Sequence, residues 1–134
     1  MGKGKYWYNK PREVQVGITA VAAGSTTEVP VFAAPFKCKI TKCSIIPASA
    51  ITGADTNNMI LKFINKGGDG SGTAAICSVT FANGTDASAF DEYDMGSLSN
   101  NILNKGDVVS FAKAENGNGM NMPDLIAKIE YIRI

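Results

Sequence analysis

Histidine is absent from the 134 residues, and with it goes the side chain that most often moves protons near neutral pH and most often ligates transition metals. Every Ser-His-Asp or Cys-His mechanism is excluded. Charge is sparse: charged residues make up 19% of the chain, against about 25% in typical soluble domains. The formal net charge is only +1, so the chain as a whole lacks the electrostatic footprint of a nucleic-acid binder. Cysteine is limited to 3 residues, an odd number that argues against a disulfide framework. Cys38 and Cys43 stand five positions apart in an expected strand, about 16 Å when extended and beyond the reach of a disulfide. The three thiols therefore read as small buried hydrophobes, and no ligand set for zinc accompanies them. No apolar run is long enough to span a membrane, and the first twenty residues hold no signal-peptide core. The expectation is a soluble protein made in the cytoplasm, with no membrane partner.

What is abundant is turn chemistry. Gly, Ala, Ser, Thr and Asn together supply 59 of the 134 positions, which points away from a helical bundle. The length suits one domain with a single core. Residues 1–12 show no period and are closed off by Pro11. Four of the 13 basic residues, Lys3, Lys5, Lys10 and Arg12, precede the first acid, Glu13. This stretch is read as a basic, aromatic N-terminal arm and residues 13–134 as one domain. From Val14 the apolar residues alternate through Val16, Ile18 and Ala20, the period of a half-buried strand. Further strands are expected around Val29 to Phe32, Phe36 to Ile45, Met59 to Ile64, Cys77 to Phe81, Phe90 to Leu98, Val108 to Lys113 and Leu125 to Tyr131. Pro30 implies an edge strand or a missing ladder bond. The apolar parity switches between Ile40 and Cys43, which a bulge near Thr41 and Lys42 would explain. About eight strands and no convincing helix predict an all-β antiparallel β-sandwich, most simply of jelly-roll type, with an immunoglobulin-like sandwich the alternative that the strand count leaves open.

Few groups suggest chemistry. The Gly67 to Gly72 segment lacks the Gly-Lys-Ser/Thr ending of a phosphate loop and leads into a strand, and Asp69 alone does not make a calcium site. Asp91, Glu92 and Asp94 are the only dense acids, but neighbouring strand residues point to opposite faces, so they read as a solvated face and not as a glycosidase pair. Neither metal nor cofactor is expected. The arm is more informative: Tyr6, Trp7 and Tyr8 interleave with Lys3, Lys5, Lys10 and Arg12, joining large aromatic anchors to cations in a way suited to docking on a protein partner. A second group has outward strand parity: Ile60 and Ile64, then Ile126, Ile132 and Ile134. If exposed, these form an interface for self-association or for a partner.

Several segments, Val31 to Cys38, Ile46 to Asn57, Asn65 to Thr73, Ala89 to Tyr93 and Lys105 to Val109, resemble small virion proteins of tailed bacteriophages, in particular capsid decoration, or cement, proteins with a β-sandwich body. The resemblance implies a non-enzymatic protein on the outer surface of an icosahedral head, often trimeric, clamping major capsid protein subunits. It implies no carry-over of individual binding residues. The rival expectation is a receptor- or carbohydrate-binding jelly roll of a phage tail fibre, with an enzyme a distant third. The thiol reading is directly testable: all three cysteines should alkylate in denatured, unreduced protein, and a disulfide-linked peptide in the mass spectrum would refute it.

Overall fold

A computed structural model describes residues 10–134. It contains nine strands and, among the described residues, no helix. They are β1 (Arg12–Ile18), β2 (Thr27–Ala33), β3 (Cys38–Pro47), β4 (Asn58–Gly67), β5 (Ala74–Thr80), β6 (Tyr93–Asp94), β7 (Ile102–Leu103), β8 (Val108–Asn116) and β9 (Leu125–Arg133). One sheet runs β1-β9-β3-β6, with β7 also on β3, and the other runs β2-β8-β4-β5. The partners nest: β1 with β9, β2 with β8, β3 with β6 and β7, β4 with β5. A long hairpin of four such pairs, rolled so that alternate pairs fall in opposite sheets, is a jelly roll. The β-sandwich expectation holds, with β6 and β7 as two pieces of one interrupted eighth lane.

The pleat decides which residues form the core. Val14, Val16 and Ile18 turn inward from β1, Met59, Leu61 and Phe63 from β4, and Leu125, Ala127, Ile129 and Tyr131 from β9. Phe63 and Phe111 meet edge to face, with ring centroids 5.2 Å apart at 73°, a favoured aromatic geometry. Pro30 sits in β2, an edge strand, where its missing N–H breaks no inner ladder, and a register shift follows it at Val31. β3 carries the expected bulge between Ile40 and Lys42, so that Cys38 and Ile40 on one side of it and Cys43 and Ile45 on the other are all fully buried. The three cysteines are free and buried. Cys43 shares a thiol hydrogen bond with Cys77 from the opposite sheet, and that contact together with burial pushes the Cys43 thiol up from its ordinary value.

Two expectations need correction. Arg12 belongs to β1, paired with Tyr131, and not to the arm. The strand expected from Phe90 to Leu98 shrinks to the two residues of β6, because the chain then leaves the β3 edge. From Met95, whose N–H still bonds the Cys43 carbonyl, it crosses to β5, where Ser99 N–H bonds Ile76 O and the Asn100 amide bonds Ala75 O. This crossing covers one flank of the sandwich. The chain returns through Asn101, whose carbonyl accepts from Ile40 N–H and whose amide donates to Ile40 O.

All strands run between two ends. The loops 19–26, 48–57, 81–92 and 117–124 gather at one, hereafter the loop end; 34–37, 68–73 and 104–107 gather at the other with Arg12 and Arg133. At the loop end, Gly53 donates its N–H to Asp86 (2.8 Å), and a Cβ there would run into the backbone carbonyls of Ala82 and Thr85. Replacing Gly53 with Ala should destabilise the fold by about 1–3 kcal/mol, and Phe63→Ala by about 3–5 kcal/mol, both measured by urea unfolding.

Candidate protein-interaction site

Phe90 is the most exposed large hydrophobic residue described, at 81%. It also adopts a left-handed backbone, φ 59°, which bulky residues rarely accept without support. The support is a hydrogen bond from Phe90 N–H to the Pro47 carbonyl at 2.8 Å. Phe90 thus stands at the rim of an apolar cleft of about 460 Å³, whose floor is formed by Gly17, Ile46 and Ile126. These three are neighbours across β1, β9 and β3, on the outward face of the sheet. Gly17 leaves the floor open, since a Cβ there would meet nothing within 4 Å. The charged side chain at the cleft, Asp124, holds the next loop by accepting from Ala20 N–H at 2.7 Å. An exposed aromatic over an apolar floor suits protein docking, because large apolar groups seated in desolvated pockets anchor such contacts.

The loop end is held rigid from beneath by a buried lysine. Lys113 points into the sandwich with its side chain wholly covered, and its ammonium donates to Ala22 O (3.0 Å), Ser25 O (2.8 Å) and Glu115 Oε2 (2.7 Å). Glu115 in turn accepts from Gly24 N–H, and these bonds hold its carboxyl below the ordinary range, the Lys113 bond first. A buried charge survives only when so satisfied.

The loop end is also acidic. Asp55, Asp86, Asp91 and Asp124 are exposed there, and none of the four loops contains Lys or Arg. The opposite end is basic: Lys10, Arg12, Lys37, Lys39, Lys105 and Arg133 gather against Asp69 and Asp107. Arg12 and Arg133 both lie over the Phe36 ring, at 5.1 and 4.6 Å from its centroid.

Of the residues nominated from sequence, Lys3, Lys5, Tyr6, Trp7 and Tyr8 lie outside the described residues. Lys10 is exposed and Arg12 is a strand residue at the basic end. Ile60 and Ile64 face outward from one sheet, Ile126 and Ile132 from the other, each partly covered by its neighbours, and Ile134 is 43% exposed at the chain terminus. The structure does not unite them into one patch: two sheets separate the pairs, and Ile126 and Ile132 stand at opposite ends of β9. Only Ile126 joins the cleft. The sequence reading missed Phe90, for which no glycine or proline signals the turn, and missed Lys113, whose burial alternation alone does not announce.

Of the dense acids, Asp94 accepts from Gly96 N–H at 2.8 Å in its own turn, and Glu92 is bound into an ion-pair network. Glu92 accepts from Ser44 Oγ (2.7 Å) and pairs with Lys42 (3.1 Å) and Lys128 (3.4 Å), and Lys128 also reaches Glu13 and Glu130. Among the described residues no group of His, Cys, Asp or Glu is placed to hold a metal, and no helix is long and apolar enough to cross a membrane.

No protein-family model matches the chain, and no curated protein matches it. A chain in the structure of infectious bursal disease virus, Gx strain, superposes with a TM-score of 0.40 at 12% identity, over 94% of this chain and 33% of that one. The present chain therefore spans about a third of that neighbour's length.

The Ser44 hydroxyl, and then the lysines, hold Glu92 down to about 2 from its ordinary 4.5. A carboxylate with a depressed pKa contributes stability that is fully present above its unfolded value and lost as pH falls toward the folded one. Glu92→Gln should therefore lower the melting temperature above about pH 4.5 and converge on the parent protein near pH 2, as read by thermal scans across that range.

Proposed function

We propose that the protein is a structural virion protein that decorates the outside of an icosahedral phage head, binding major capsid protein subunits and acting without catalysis or cofactor. The observation that carries this reading is Phe90 standing exposed over an apolar cleft at the loop end; a second docking element is expected in the aromatic, basic sequence that precedes Arg12, a residue of the other end. A binder with two ends suits a repeating lattice, where each added contact multiplies the strength of the others. The resemblance of the Val31 to Cys38, Asn65 to Thr73 and Lys105 to Val109 segments to decoration proteins supplies the virion as that lattice.

One feature favours a second reading. Phe90 beside Asp91 and Asp124 also resembles the platform and acids of a sugar site, as in a receptor- or carbohydrate-binding module of a tail fibre. The two readings separate in one experiment. Added to phage heads assembled without it, the protein should bind to saturation and raise their heat resistance. Deleting residues 1–11 or replacing Phe90 with Ser should lower occupancy while leaving the melting temperature of the body unchanged. Absence of head binding together with retention on a glycan surface would overturn the decoration reading in favour of the second.

A further inference from the structure

The acidic, apolar loop end and the basic, aromatic arm are complementary to each other, and they belong to the same chain. We propose that the arm of one copy docks on the loop end of a second copy, with Trp7 in the cleft beneath Phe90 and the arm's lysines facing the aspartates. On the virion reading this contact would join neighbouring decorating copies to one another, a step beyond binding to the capsid, and it stands whether or not the lattice is a capsid.

The complementarity is of two kinds. The cleft floor of Gly17, Ile46 and Ile126 is apolar, open above Gly17 and roofed on one side only, by Phe90. It is suited to a flat aromatic ring, and Tyr6, Trp7 and Tyr8 are the one run of aromatic residues in the chain. Around the cleft stand Asp91 and Asp124, with Asp55 and Asp86 in the adjoining loops and no cation in any of the four. The incoming segment carries Lys3, Lys5 and Lys10 without an acid. The two ends lie about 30 Å apart along the nine residues of β9, several screening lengths at physiological ionic strength. The described cations of the basic end therefore stand far from the loop-end aspartates, and a second copy's arm would bring opposite charges together. Such a field speeds and orients encounter.

The occupant is a second copy because of where the arm begins. Arg12 is the last strand residue before it, at the basic end, and Gly17 lies five residues up the same strand, about 17 Å away. Trp7 is itself five residues from Arg12, a reach of about 17 Å when fully extended. Docking on its own body would demand a reversal at Pro11 and a chain stretched to its limit, and Pro11 restricts Lys10 to extended backbone. A neighbour's cleft requires neither. The contact joins unlike surfaces, so repeated copies close into a ring or continue as a chain.

The chain has a single tryptophan, so its fluorescence reports on Trp7 alone. Two full-length variants separate arm from cleft. Trp7→Ala silences the arm. Gly17→Arg fills the cleft with a repelling cation at a strand position that has open space and ordinary backbone, and Ile126→Lys serves if that variant is misfolded by circular dichroism. The parent protein should show emission moving to shorter wavelength, and mass by light scattering rising, as concentration increases, with both shifts weakened at high salt. Each variant alone should be monomeric. Mixed, they should pair one to one, with the tryptophan of the Gly17→Arg protein shifting as it enters the intact cleft of the Trp7→Ala protein. A parent emission that is already shifted but independent of concentration would place the arm on its own body and overturn the proposal. An unshifted emission, or a mixture that stays monomeric, would overturn it equally.

Discussion

The extra residue between Ile40 and Lys42 governs the middle strand of the larger sheet. β3 lies between β9 and the β6 and β7 lane, so its two halves must both contribute to the core. In an unbroken strand the side chains at Cys38 and Ile40 would share a face with Lys42 and Ser44, and Cys43 and Ile45 would turn to solvent. The bulge reverses the second half, burying Cys43 and Ile45 completely. It also sets Ile46 on the outer face beside Ile126. The cleft floor is thus a consequence of the same local irregularity that lets the core close.

Much of this was legible because pleated strands write their burial into the chain with a period of two. The alternation of Val14, Val16 and Ile18, the edge placement of Pro30 and the parity switch after Ile40 are all local statements, and each is met in the structure. The register of β4 correctly sent Ile60 and Ile64 outward. Which sheet a strand joins is not local, however, and so the outward isoleucines separate onto two faces. Phe90 was illegible for a different reason: its left-handed backbone is held by the Pro47 carbonyl, forty-three positions earlier in the chain. Lys113 likewise looks like a surface lysine until two distant carbonyls, Ala22 and Ser25, are brought to its ammonium.

The charge pattern shows why totals mislead. A formal charge of +1 suggests a bland surface, yet the charged residues in the loops at one end are all acids and the other end is dominated by lysine and arginine. Strand order produces this segregation, because consecutive loops alternate between ends. Residues 34–37, 68–73 and 104–107 fall together although long stretches of sequence separate them. The ion pairs of Glu92, Lys42 and Lys128 occupy the band between and are internally balanced enough to contribute little to either end.

The two chain ends enter and leave side by side, Arg12 paired with Tyr131 and adjacent to Arg133. Tension applied between them would peel β1 from β9 one rung at a time, the mechanically soft direction. Tension entering at Arg12 on β1 and leaving at Ile126 on β9 runs along both strands instead, and it loads the register pairs from Arg12 to Gly17 together, in shear. The sandwich is therefore weak when β1 and β9 are pulled apart at this end and stiff when it is loaded along its strands.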